Sequence, residues 1–255
     1  MTRTTVALGR RALRNSLRRP QFLAPMFIFP TLLLAVNVGG LSATLALPGF
    51  PPVRGFLDFQ LAAATTQSLL LAGVSVGIAT GLEIEGGFFD RLAVSPISRS
   101  SIVFGRLAGH AAIASIQVAF FLVLGLLFGA TIESGFTGVL VVMGIGVIAG
   151  VGFGALGMVL ALRSKSTSVV QGIFPLAFVV LFLSSAFFPA SQLVEPAKTI
   201  AAYNPLSYIA DGMRSPMISQ MSAEPVLEGF AVAIGLAVVM AALAVSALRT
   251  RLADS

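Results

Sequence analysis

Residues 139–162 read VLVVMGIGVIAGVGFGALGMVLAL, a run with no charged residue and no proline. A helix of this length crosses the roughly 30 Å of hydrocarbon in a bilayer. Lipid offers the backbone no hydrogen bonds, so such a run must satisfy its own amides, as a helix does. Five further apolar stretches lie on either side of it, at residues 22–40, 59–80, 107–128, 169–188 and 226–248. Six membrane spans in one all-α domain over residues 1–255 follow from this pattern. Composition agrees: 56% of residues are hydrophobic and 10% charged, against about a quarter charged in an ordinary soluble domain.

Charge sets the expected orientation. If the N-terminus lies inside, Arg54, Lys198 and Arg214 fall on the outer side and the other thirteen of the 16 Lys and Arg residues on the inner. Basic residues mark cytoplasmic loops, so both ends are expected in the cytoplasm, as in a bacterial inner membrane. The net charge of +6 is thereby explained by topology, with no need of nucleic acid. Residues 1–20 carry too long a basic region and too long an apolar sequel for a cleaved leader. They read as an interfacial amphipathic helix, with Val6, Leu13 and Leu17 on one stripe and Arg10, Arg14 and Arg18 beside it, facing anionic lipid.

Several chemistries are excluded. There is no cysteine, and no zinc-protease, nucleophile-elbow or P-loop pattern. No carboxylate sits in the middle of a span, which argues against proton-driven transport. His110, near the end of the third span, reads as an interfacial hydrogen-bonding group. No metal site and no cofactor are expected in this chain, and any energy from ATP would come from another polypeptide.

Residues 83–106 form the charged inner loop. Within it Phe88, Phe89 and Leu92 make an apolar ridge among Glu85, Asp90 and Arg91, and Pro96 stops the helix. The ridge suits docking into a partner's groove and equally suits dipping into headgroups. Glu83 and Glu85 can pair with arginines of a partner or with Arg14 or Arg18. In the fourth span Gly146, Gly150 and Gly154 form a small-residue ridge, read as packing within the chain. Gln67, Gln117 and Gln171 place amides in spans, and Pro175 interrupts the fifth near Ser184 and Ser185. Gln67, Gln171, Ser184 and Ser185 are candidate path residues. Residues 189–222, cut by Pro196, Pro205 and Pro216, read as short re-entrant helices on the outer side, serving as a lid or a gate.

The run Glu83-x-Glu85-x-Gly87, followed by FDRL at 89–92 and VSPIS at 94–98, resembles the inner loop of ABC-2 type transporter permeases, the daunorubicin-resistance-like exporters in particular. FFP at 187–189, YNPLSY at 203–208 and DGMR at 211–214 look like the outer stretch of the same family. The resemblance implies a half-transporter: two permease copies, as a homodimer, with two cytoplasmic ABC ATPase subunits that hold ATP and Mg. Glu83, Glu85, Gly87, Phe88, Phe89, Arg91, Leu92 and Pro96 would then form the coupling segment, and Pro189, Asn204, Pro205 and Tyr208 the outer gate. The implied substrate is amphipathic, a drug, lipid or glycolipid. The alternative is a non-transporting membrane scaffold that recruits a partner through the same loop.

Overall fold

In the computed structural model the described residues are 2–87, 98–218 and 221–253, with no side-chain description for residues 2–4, 174, 252 and 253. They form α1 (Thr2–Leu17), α2 (Pro20–Leu41), α3 (Phe56–Glu85), α4 (Arg99–Leu127) and α5 (Gly135–Ser164). After these come α6 (Thr167–Phe182), α7 (Ala197–Tyr203), α8 (Pro205–Ile218) and α9 (Ala223–Ala253). No strand occurs among the described residues.

Five helical segments are long and apolar enough to cross a membrane: Pro20–Ala46, Phe56–Glu85, Arg99–Leu127, Gly135–Ser164 and Ala223–Arg251. The expected span at 169–188 ends six residues early. α6 has 16 residues, about 24 Å of helix, and the chain then turns. The reason is local. Ser184 donates its hydroxyl to the Leu181 carbonyl and accepts the Ala186 N–H, while Asn204 donates to the carbonyls of Val180 and Leu183. Side chains thus take the carbonyls that a further helical turn would have used.

Successive long helices run in opposite directions. At one end Ile84 of α3, Ile102 and Leu107 of α4, Leu162 of α5, Val170 of α6 and Leu248 of α9 share a core cluster. This is the basic end. At the opposite end Arg54 pairs with Glu133, and Asp58 accepts the N–H groups of Gly55 and Thr131.

Glycine sets how closely the helices approach. A Cβ on Gly146 or Gly150 would lie 2.6 Å from Val118 or Ala114 of α4. The Gly146–Gly150–Gly154 ridge therefore packs inside the chain, where small residues let helix backbones meet. A second ridge on α3 does the same. Cβ atoms on Gly73 and Gly77 would collide with the Phe153 backbone and with Val170, and one on Gly81 with Thr167.

Proline shapes α2. Pro30 has no N–H, so the Met26 carbonyl lacks its helical donor. The Ser68 hydroxyl donates to it at 2.6 Å, and Gln117 donates to Ser68 Oγ at 2.7 Å. One polar relay thereby ties α2, α3 and α4 at mid-span.

Candidate functional site

At the basic end, α3 finishes in Glu83 and Glu85 and leaves its helix through Gly86 and Gly87. Gly87 has φ +67°, the left-handed conformation that suits glycine at a helix C-terminus. Glu83 forms an ion pair with Arg106 of α4, which also donates to the Thr80 hydroxyl at 2.9 Å. Glu85 accepts the N–H of Thr167 at 2.8 Å, placing a carboxylate at the positive N-terminus of α6. The two carboxylates at the root of segment 88–97 thus grip two different helices. Within the chain their partners are Arg106 and Thr167 rather than Arg14 or Arg18. Phe88, Phe89, Arg91, Leu92 and Pro96 lie outside the described residues.

Arg10 and Arg14 of α1, and Arg18 just beyond its end, are exposed. Another face of α1 rests on α4. A Cβ at Gly109 would lie 2.9 Å from the Ala12 Cβ, and one at Gly105 would lie 2.7 Å from the Leu8 Cβ. Gly9 is buried in the contact, whereas Val6 and Leu17 are exposed. The face that matters is therefore Leu8–Gly9–Ala12–Leu13. The expected apolar stripe contributes only Leu13 to it. Gly105-x-x-x-Gly109 was the signal for this contact.

At the opposite end α8 begins at Asn204-Pro205. The Asn204 side chain accepts the Leu206 N–H at 2.9 Å, and proline occupies the first helical position, where no donor is needed. Tyr208 donates its hydroxyl to the Ala202 carbonyl, and Pro189 accepts the Gln192 N–H. Ser185 donates to Asp211 at 2.7 Å, and its N–H donates to Ser207.

Arg214 joins these pieces. Its guanidinium donates to the carbonyls of Phe59 at 3.2 Å, Ser185 at 3.3 Å and Ala186, pairs with Asp211, and lies 3.8 Å over the Phe59 ring. Burial pulls its pKa down from the ordinary arginine value, and the neighbouring Asp211 opposes that shift. One side chain therefore fastens α8 to the first turn of α3 and to the turn after α6. Gln60 adds a bond to the Phe187 carbonyl at 3.0 Å.

Between the two ends, the four candidate path residues are not brought together. Ser184 and Ser185 are buried and bonded within the chain. Gln67 is fully buried, and neither of its amide atoms has a hydrogen-bond partner. Gln171 is exposed and borders a groove of about 270 Å³ with Phe22, Pro25 and Ser75, between α2, α3 and α6. Among the described residues no group of acidic or histidine side chains could hold a metal ion.

The sequence profile of ABC-2 type transporter proteins matches residues 3–218. The chain is 29% identical over 168 residues to the daunorubicin resistance ABC transporter permease protein DrrB1 of Streptomyces coeruleorubidus, covering 64% of this chain and 58% of that protein. It is 28% identical over 210 residues to the ycf38 protein of Porphyra purpurea, 82% of this chain and 72% of the other. Against a probable doxorubicin resistance ABC transporter permease protein, DrrC, of Mycobacterium tuberculosis, identity is 26% over 140 residues, 53% of this chain and 51% of that one. The alignments thus take in little more than half the length of the two drug-resistance relatives.

Proposed function

The chain belongs to the ABC-2 type transporter family, and from that membership we propose that it is the permease subunit of an ATP-driven exporter for an amphipathic drug-, lipid- or glycolipid-like substrate. It is a multi-pass membrane protein whose helices carry no P-loop, so ATP and Mg belong to a separate ABC ATPase. Two permease copies pair with two ATPase subunits in a bacterial plasma membrane, with the basic end in the cytoplasm. In this reading α6, with the turn that follows it, completes a sixth span. α1 lies at the cytoplasmic surface, and α7 and α8 dip into the outer leaflet as the gate.

The observation that carries the proposal is the grip of Glu83 on Arg106 and of Glu85 on Thr167. A segment that docks on an ATPase has to pass its displacement to the spans. In sequence, residues 88–97 connect α3 to α4, and the two carboxylates that precede them reach α4 and α6. Force on that segment reaches three helices within one turn of its root.

Co-purification from native membranes tests this. The wild-type chain is expected to retain an ABC ATPase. Burying one phenylalanine contributes about 1.5–3 kcal/mol, so the Phe88→Ala/Phe89→Ala variant should lose at least about tenfold in association. Wild-type retention by that variant, or the capture of no ABC ATPase at all, would count against the coupling assignment. The second outcome would leave the scaffold reading in place.

A further inference from the structure

The elbow between α1 and α2 encloses a space that transport does not account for. Two adjoining cavities lie there, roofed by the end of α1 and floored by α2, α3 and α4; the larger measures about 80 Å³. That space is large enough for several water molecules, or for a phosphate ester in their place. Arg11, Asn15, Arg19, Glu83 and Arg106 line the rim. Among the described residues three guanidiniums stand against one carboxylate, Glu83, which is paired with Arg106, a formal excess of two positive charges. The first turn of α2 adds to this. It starts at Arg19-Pro20 without a side-chain cap, and the N-terminal end of its dipole faces the elbow.

Deeper in, the lining is mostly apolar, with Phe22, Met26 and Ile113, and Ser75 and His110 are its polar members. A charged rim over an apolar floor, at the level where α2 and α4 enter the membrane, matches a phospholipid in its natural orientation. Basic pockets between helix ends on the cytoplasmic side select anionic headgroups. We propose that the α1–α2 elbow is a binding site for one anionic phospholipid of the inner leaflet, its phosphate held by Arg19 and Asn15 and its acyl chains lying along Phe22 and Met26. The lipid acts as a wedge that fixes the angle between α1 and α2. The proposal rests on the orientation given above, not on transport.

The probe is the full-length chain in detergent, examined by native mass spectrometry and thermal unfolding after addition of phosphatidylglycerol, phosphatidylcholine or glycerol 1-phosphate. Phosphatidylglycerol should remain bound and raise the melting temperature, and the other two should not. Arg19→Gln removes one charge-assisted contact and should weaken phosphatidylglycerol retention by about tenfold. Its melting temperature in phosphatidylcholine should stay at the wild-type value. Arg10→Gln, at a position equally exposed but outside the lining of both cavities, should retain the lipid, which separates a built site from a diffuse basic surface. Equal retention of both lipids, equal loss in the two variants, or binding of glycerol 1-phosphate as tight as that of the lipid would overturn the assignment. Cysteine labelling of the loop after α5 measures the orientation independently, so a wrong orientation and a wrong site give different results.

Discussion

Arg214 is a heavily committed side chain at the end opposite the basic one. It satisfies three backbone carbonyls in a buried setting, and Asp211, its ion-pair partner, is 42% exposed. Hydrogen bonds to a charged group contribute about 1.5–3 kcal/mol each, and an orphaned buried carbonyl costs its full desolvation. Arg214→Met should therefore destabilise the protein by on the order of 3 kcal/mol, read as a fall in melting temperature. Arg214→Lys should not restore it, because an ammonium lacks the planar fork that reaches several acceptors. Full stability in the lysine variant would mean that charge alone suffices. At the basic end the two carboxylates should behave differently. Glu83→Ala leaves Arg106 in a largely buried setting without its counter-ion, a change that costs about 3–5 kcal/mol where an ion pair is fully buried. Glu85→Gln removes a charge but keeps an acceptor for Thr167, so it should alter ATPase-dependent activity more than melting temperature. Equal destabilisation by the two substitutions would show that Glu85 is merely structural. Neither Arg106 nor Thr167 was legible as a partner, because both are contacts between helices distant in sequence. The capping role of Asn204 before Pro205 was local chemistry, available to inspection.

Among the elements, the long spans were legible because uninterrupted apolar length is a property of the sequence alone. The end of α6 was not, since residues 183–188 are as apolar as a span and only the hydroxyl of Ser184 and the amide of Asn204 stop the helix. The amphipathic character of α1 is legible from Val6, Leu13 and Leu17, but its seat on α4 is not, because that contact is made by Gly9, Gly105 and Gly109. Glycine ridges act by what they lack, and they give a clean test. A Cβ at Gly150 would lie 2.6 Å from Ala114 Cβ, while one at Gly235 meets nothing within 4 Å. Gly150→Ala should lower the melting temperature despite the gain of up to about 1 kcal/mol in helix propensity. Gly235→Ala should keep or raise it. Matching responses at the two positions would contradict the close packing of α4 on α5.

At the scale of the whole molecule, the arrangement is a bundle whose successive long helices alternate in direction, fastened differently at its two ends. The basic end holds an ion pair, a helix-capping carboxylate and the glycine contact of α1 with α4. The opposite end holds the Arg214 cluster and the short helices α7 and α8. Single cysteines should report these ends from opposite sides: Ser164→Cys should label from the cytoplasm and Ser191→Cys from outside. Labelling of both from one side would remove the sixth span. The central claim, that this chain forms the transport route while another polypeptide supplies the energy, is tested most directly in sealed proteoliposomes. The measurement is the movement of an anthracycline and of a fluorescent phospholipid with the chain alone, with its ABC ATPase, and with or without ATP. The account predicts that at least one probe moves only when both polypeptides and ATP are present, with no ATP hydrolysis by the isolated chain. Movement indifferent to the ATPase, or hydrolysis by this chain alone, would contradict it.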